Sequence, residues 1–148
     1  MSLRTGHIGL NVTDLDRSLA FYRDVLGFAL LAEGKEEDRR HAFLGDGGDR
    51  PLLTLWQQAG RPYGGDRAGL HHLAFTAESI EQVRAYESAL RRYGVDFAHE
   101  GVVAHREGSA SGGIFFHDPD GTRLEISVAD GAEGAPAPHE TAPTCGFF

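Results

Sequence analysis

Two stretches of this chain repeat each other at a fixed distance, and that repeat limits the fold more than any other feature. His7-Ile8-Gly9-Leu10-Asn11-Val12 and His72-Leu73-Ala74-Phe75-Thr76-Ala77 both alternate with period two, the pattern of a half-buried strand. Ile8, Leu10 and Val12 form one apolar set, and Leu73, Phe75 and Ala77 form the other. His7 and Asp14 map onto His72 and Ser79 with the same offset of 65 residues. A helical pattern follows each strand. Thr13-Asp14 offers an N-cap before Leu15, Leu19, Tyr22 and Leu26, and Gly27 suits the position after the helix. Ser79, with Gln82 placed for a capping box, precedes Val83, Tyr86, Leu90 and Tyr93, and Gly94 closes that helix.

Each copy continues with strand patterns. In the first, a short apolar run at Phe28–Leu31 is followed by strands at His41–Leu44 and Leu52–Trp56, joined by the Gly45-Asp46-Gly47-Gly48-Asp49 turn. Glu33–Arg40 is charged and reads as a solvated loop or strand edge. In the second copy, Val95–Phe97 reads as a short strand. Gly101–Gly113 is polar and glycine-rich, with Val102-Val103 as its strong apolar pair. A hairpin at 114–128 turns at Asp118-Pro119-Asp120-Gly121, where proline presets φ, aspartate bonds its own backbone and glycine takes a positive φ. The chain therefore reads as α+β, built of paired βαβββ modules. Module 1 occupies 1–57, a linker 58–69, module 2 70–129, and a Pro/Gly/Ala-rich tail 130–148. Neither module alone carries a comfortable apolar core, so the two are expected to pack together or exchange partners. Phe147 and Phe148 in the tail are expected to anchor in an apolar groove or to make a subunit contact.

Charge and cysteine usage narrow the function classes. The formal net charge is -8, and Lys35 is the single lysine. No basic stripe exists to neutralise phosphates, so nucleic acid is not an expected partner. No stretch approaches membrane-spanning length and no charged-then-apolar leader is present, which gives the expectation of a cytoplasmic protein without a membrane partner. Cys145 is the one cysteine, so any metal site must draw on the eight histidines and the carboxylates.

Three such residues share a phase. His7 and His72 open the first strand of each module on the face opposite the apolar set. Glu125 has the same phase on the last strand, between Leu124 and Ile126. Two imidazoles and one carboxylate are a donor set for a divalent Fe, Mn, Zn, Ni or Co ion. Three protein ligands leave coordination positions for substrate, which separates a working metal from a structural one.

The motifs that carry these residues resemble those of the vicinal oxygen chelate superfamily, which groups glyoxalases, bleomycin-resistance proteins and extradiol dioxygenases. The resemblance rests on Gly6–Leu15, Ser18–Tyr22 and Leu26-Gly27-Phe28 in module 1. In module 2 it rests on His71–Phe75, Phe116–Gly121 and Leu124-Glu125, and the whole covers residues 5–128. It implies a curved mixed sheet around a metal cleft, one divalent ion on His7, His72 and Glu125, and a small substrate chelated through vicinal oxygens. It also implies a homodimer, in which modules of relatives often swap. His71 is expected to point to the other face and to be structural. The family's fourth position falls at or near Thr54, where glyoxalase I-like lyases place a glutamate that is ligand and base. A threonine cannot take a proton from carbon at neutral pH, which favours extradiol-dioxygenase-like chemistry over a lyase. Phe115 stands where the dioxygenases usually carry a tyrosine. Asn11, Thr54, Trp56 and Phe115 are the expected substrate-binding residues, and His41, His105 and Tyr63 are unassigned candidates for proton transfer. The alternatives are a glyoxalase-type lyase or isomerase and a non-catalytic, bleomycin-resistance-like protein that binds a drug or metabolite.

Overall fold

The computed structural model describes residues 1–148, which divide into two compact units, Met1–Tyr63 and Gly64–Phe148. In the first unit β1 (Ile8–Val12) leads into α1 (Leu15–Leu19), followed by β2 (Ala29–Glu36), β3 (Arg39–Gly45) and β4 (Leu53–Gln57). Its sheet has the order β1-β4-β3-β2, with β1 parallel to β4 and the other pairs antiparallel. The second unit runs through β5 (Leu73–Thr76), α2 (Ile80–Tyr93), β6 (Val103–Ala104), β7 (Gly112–His117) and β8 (Arg123–Val128). Its order, β5-β8-β7-β6, and its single parallel pair, β5 with β8, repeat the first. The chain is thus α+β and made of two βαβββ modules, as the 65-residue repeat predicts.

Local signals explain where the elements start and stop. Asp14 caps α1 by accepting from the Arg17 amide at 3.0 Å, and Ser79 caps α2 by accepting from the Gln82 amide at 3.2 Å. The Gln82 side chain reaches back to the Glu78 amide at 2.7 Å, which completes a capping box displaced by one residue. Gly94 ends α2 at φ +89°, a left-handed conformation that glycine adopts without penalty. At the β7–β8 turn Asp118 Oδ1 accepts from the amides of Asp120 and Thr122, both at 2.9 Å, and Gly121 sits at φ +84°.

Burial follows the alternation. In unit 1 Leu10 and Val12 of β1, Ala42 and Leu44 of β3, and Leu53 and Leu55 of β4 are buried together with Leu15, Leu19, Phe21 and Tyr22 of the helical segment. In unit 2 Ile114 and Phe116 of β7 and Leu124 and Ile126 of β8 are buried with Val83 and Leu90 of α2. The polar phase residues stand on the opposite strand face, and on the central strands this face is covered too, with Thr54, Phe115 and Glu125 all buried.

The fold departs from the sequence reading at two places and decides between two alternatives at a third. The first helix does not stay α-helical to Leu26. It widens into a π-helical segment at Ala20–Val25, with the Leu26 amide bonded to the Phe21 carbonyl at 3.0 Å. The wider turn lets the adjacent Phe21 and Tyr22 both bury completely, their rings edge to face at 4.9 Å. Of the two readings of the charged Glu33–Arg40 stretch, solvated loop or strand edge, the second holds, since β2 is the edge strand of its sheet. Most of the stretch joins β2 and β3 in a hairpin turning at Glu37, where φ is +54°. Its register hides from hydropathy because almost every β2 residue is exposed. Val95–Phe97 forms only a bridge from Phe97 to Phe116, and Val103–Ala104 takes the edge of β7 instead.

Candidate functional site

The register of the strands places the functional phase. In unit 1 Gly9 pairs with Thr54, and in unit 2 Ala74 pairs with Glu125. Gly9 and Ala74 are equivalent in the repeat, so Thr54 is the module-1 counterpart of Glu125. Across the antiparallel neighbour, Phe43 opposes Thr54 and Phe115 opposes Glu125, which makes these two phenylalanines counterparts as well.

In unit 2 the site is built around one acid. Glu125 is only 3% exposed, and a carboxylate so deep must be hydrogen-bonded or paired. His105, just beyond β6, places Nε2 at 2.6 Å from Glu125 Oε1. Its Nδ1 lies 3.0 Å from Ser111 Oγ, which in turn lies 2.9 Å from Ser109 Oγ. On the other side His72 Nε2 approaches Glu125 Oε2 to 3.4 Å. His72 Nδ1 lies 2.9 Å from His71 Nδ1. Burial holds the His72 pKa below the ordinary imidazole value; the Glu125 carboxylate opposes that effect and His71 adds to it.

This arrangement fits part of a metal site. Two donors each about 2.1 Å from one ion, at about a tetrahedral angle, stand about 3.4 Å apart, as His72 Nε2 and Glu125 Oε2 do. The 2.6 Å between His105 and Glu125 is instead a short, direct hydrogen bond, of the kind that orients a ligating carboxylate. No three His, Cys, Asp or Glu side chains meet as a ligand set in the chain. His7 lies one residue ahead of β1 in unit 1 and is exposed.

The structure corrects one expectation. His71 does not point away from the site; its ring stands edge-on to His72 at 5.1 Å. Strand alternation does not apply to it, because β5 begins only at Leu73. The sequence offers His105 only as an unassigned candidate for proton transfer, with nothing that ties it to Glu125. Ser111 carried no signal, since only the β6–β7 pairing brings it beside His105.

The expected substrate residues divide between the units. In unit 1 Trp56 donates from Nε1 to Thr54 Oγ1 at 3.0 Å, and Gln58 donates to Asn11 Oδ1 at 2.7 Å. His41 stacks at 5.0 Å from Trp56 and 5.3 Å from Phe43, so this sheet presents an aromatic face. In unit 2 Phe115 is fully buried, with its ring 5.5 Å from that of Phe148 and 6.3 Å from that of His105. Of the two tail phenylalanines, Phe148 reaches the site, while Phe147 stacks on His139 at 3.7 Å.

Comparison with known proteins adds an independent line. Residues 4–126 match the family described as the Glyoxalase/Bleomycin resistance protein/Dioxygenase superfamily. A lactoylglutathione lyase of Haemophilus influenzae is 32% identical over 128 residues, covering 81% of this chain and 88% of the lyase. A catechol-2,3-dioxygenase of Bacillus subtilis is 28% identical over 123 residues, covering 82% of this chain but only 40% of the dioxygenase. The crystal structure of a glyoxylase/bleomycin resistance protein/dioxygenase domain from Frankia sp. EAN1pec superposes with a TM-score of 0.74 at 25% identity, covering 87% of this chain and 99% of that domain.

Proposed function

The chain belongs to the Glyoxalase/Bleomycin resistance protein/Dioxygenase superfamily, and within it we propose a divalent-metal-dependent enzyme acting on a small substrate bound through two adjacent oxygens. His72 and Glu125, with His7 as the third ligand that the family resemblance implies, would hold one Fe, Mn, Zn, Ni or Co ion, and the working form would be a homodimer. When bound, such an ion supplies Lewis-acid polarisation of the substrate oxygens.

The observation that carries this reading is the environment of Glu125. A carboxylate 3% exposed faces His72 Nε2 across 3.4 Å on one oxygen and receives His105 on the other. His105, donating from Nε2, fixes the carboxylate rotamer and leaves Oε2 directed at His72. When His72 donates from Nδ1 to His71, its Nε2 presents a lone pair on the Glu125 side. Burial lowers the pKa of that imidazole and so favours its neutral form, the one metal ligation requires. His105 is also the group placed to hold a proton next to the site, at Nε2.

Extradiol-dioxygenase-like chemistry is favoured because Thr54 stands at the register position of Glu125. Its hydroxyl, already accepting the Trp56 indole N–H, offers neither a carboxylate ligand nor a base for carbon. A glyoxalase-type lyase is the second reading, favoured by the name of the Haemophilus relative and by a match that covers 88% of it.

Protein purified without chelator, analysed for metal and assayed in parallel for oxygen uptake with catechols and for consumption of a glutathione hemithioacetal, separates the two. Oxygen uptake with ring opening supports the first reading, and anaerobic hemithioacetal turnover supports the second. Absence of bound metal together with a tightly held, chemically unchanged ligand overturns both.

A further inference from the structure

The segment after β8 folds back over the unit-2 site and is fastened there by specific bonds. Ala104, in the edge strand β6, donates to the Pro136 carbonyl at 2.9 Å. Thr144 is fully buried; its hydroxyl donates to the Ala104 carbonyl at 2.6 Å and its amide to the His105 carbonyl at 2.9 Å. His99 Nε2 lies 2.8 Å from the Phe147 carbonyl oxygen and donates to it. The segment is therefore tied to the same residue, His105, whose side chain holds Glu125.

These anchors deliver the Phe148 ring into the approach to His72. Its centroid lies 5.6 Å from the His72 ring, tilted by 33°, and 5.5 Å from the Phe115 ring. His71 and His117 flank it at 6.3 Å and 5.9 Å. The Arg123 guanidinium covers it at 5.7 Å, within cation–π range. Room for that guanidinium comes from Gly65, where a Cβ would stand 2.5 Å from Arg123 Nη2. A ring enclosed by these groups leaves no space for another flat group in the same place.

We propose that Phe148 is a specificity-determining plug, a side chain that competes in cis with any small molecule approaching His72 and Glu125, so that only ligands able to displace it reach the pair. A site whose open form is a minority binds more weakly by that fraction, and a ligand unable to displace the ring is rejected. The buried Thr144 anchor makes the segment a fixed feature of the fold, and the Phe148 ring is the part a ligand would displace.

The test compares full-chain wild type with Phe148→Ala and Thr144→Val. Diethylpyrocarbonate modification, mapped by mass spectrometry at about pH 8, above the ordinary imidazole range, reads access to each histidine. His72 should react roughly tenfold faster in Phe148→Ala, as for a ring in place about nine-tenths of the time, and by a smaller factor in Thr144→Val. His7, in the other unit, should not change. An unchanged His72 rate in both variants, with circular dichroism like the wild type, overturns the plug; if Phe148→Ala misfolds, Thr144→Val decides alone. A Co2+ absorption titration forms a second arm, which rests on the proposed metal function, and Phe148→Ala should bind Co2+ more tightly by a similar factor. Co2+ binding to neither protein while His72 gains reactivity removes the metal function and keeps the plug. Co2+ binding with an unchanged His72 rate in both variants removes the plug and keeps the metal function.

Discussion

His105 Nε2 stands 2.6 Å from Glu125 Oε1, and this contact joins a residue just beyond β6 to one on β8, 20 positions along the chain. The bond satisfies half of a buried carboxylate whose other oxygen faces His72. His105 in turn is held by Ser111 and Ser111 by Ser109, so the acid rests on a relay of three side chains.

Replacing His105 by alanine leaves Glu125 Oε1 buried without a partner. The expected cost is about 1–3 kcal/mol of stability, read by denaturant unfolding of the metal-free protein. If the carboxylate is a ligand, metal affinity should also fall roughly 10–100-fold, as when an orienting partner is lost. A variant as stable as the wild type would show that water replaces the imidazole.

His72 gives the fold a pH dependence of known sign. Its pKa is depressed in the folded state, mainly by burial, and returns to about 6.5 in the unfolded chain. Below that value the unfolded state takes up a proton that the folded state resists. Stability from this group is therefore complete above about pH 6.5 and is lost as the pH falls. In chelator, the melting temperature of the wild type should drop more than that of His72→Gln between about pH 7.5 and pH 5.5. Parallel profiles would contradict the assignment.

Thr54 and Trp56 make a pair that can be read optically, since Trp56 is the only tryptophan. Thr54→Val removes the acceptor of the part-buried indole N–H, now 3.0 Å away. The expected loss is about 0.5–1.5 kcal/mol with a shift in tryptophan emission, whereas Thr54→Ser should preserve both. An unshifted spectrum in Thr54→Val would mean that the indole finds another partner.

Ser79→Ala should destabilise by about 1 kcal/mol, because the Gln82 amide loses the cap oxygen at 3.2 Å. Ser79→Asp should restore most of it in a urea melt, and failure of that rescue would locate the effect outside the cap.

The two βαβββ modules, their caps and the hairpin at Asp118 were legible because short-range rules write them. Period-two alternation, capping side chains and a glycine at positive φ act within a few residues, so the 65-residue repeat was enough to fix α+β architecture. The phase of Glu125 was readable for the same reason. Packing decided the π-helical widening at Ala20–Val25, where two adjacent aromatics both had to be buried. Strand pairing decided the β2–β3 hairpin, because a strand exposed on both faces leaves no trace in hydropathy. The environment of Glu125 belongs to this second class. His105, Ser111 and Phe148 reach it from positions 20, 14 and 23 residues away along the chain, and no local pattern marks them. Only the β6–β7–β8 register and the bonds of Thr144 bring them together, since side-chain contacts across strands are set by pairing and not by spacing.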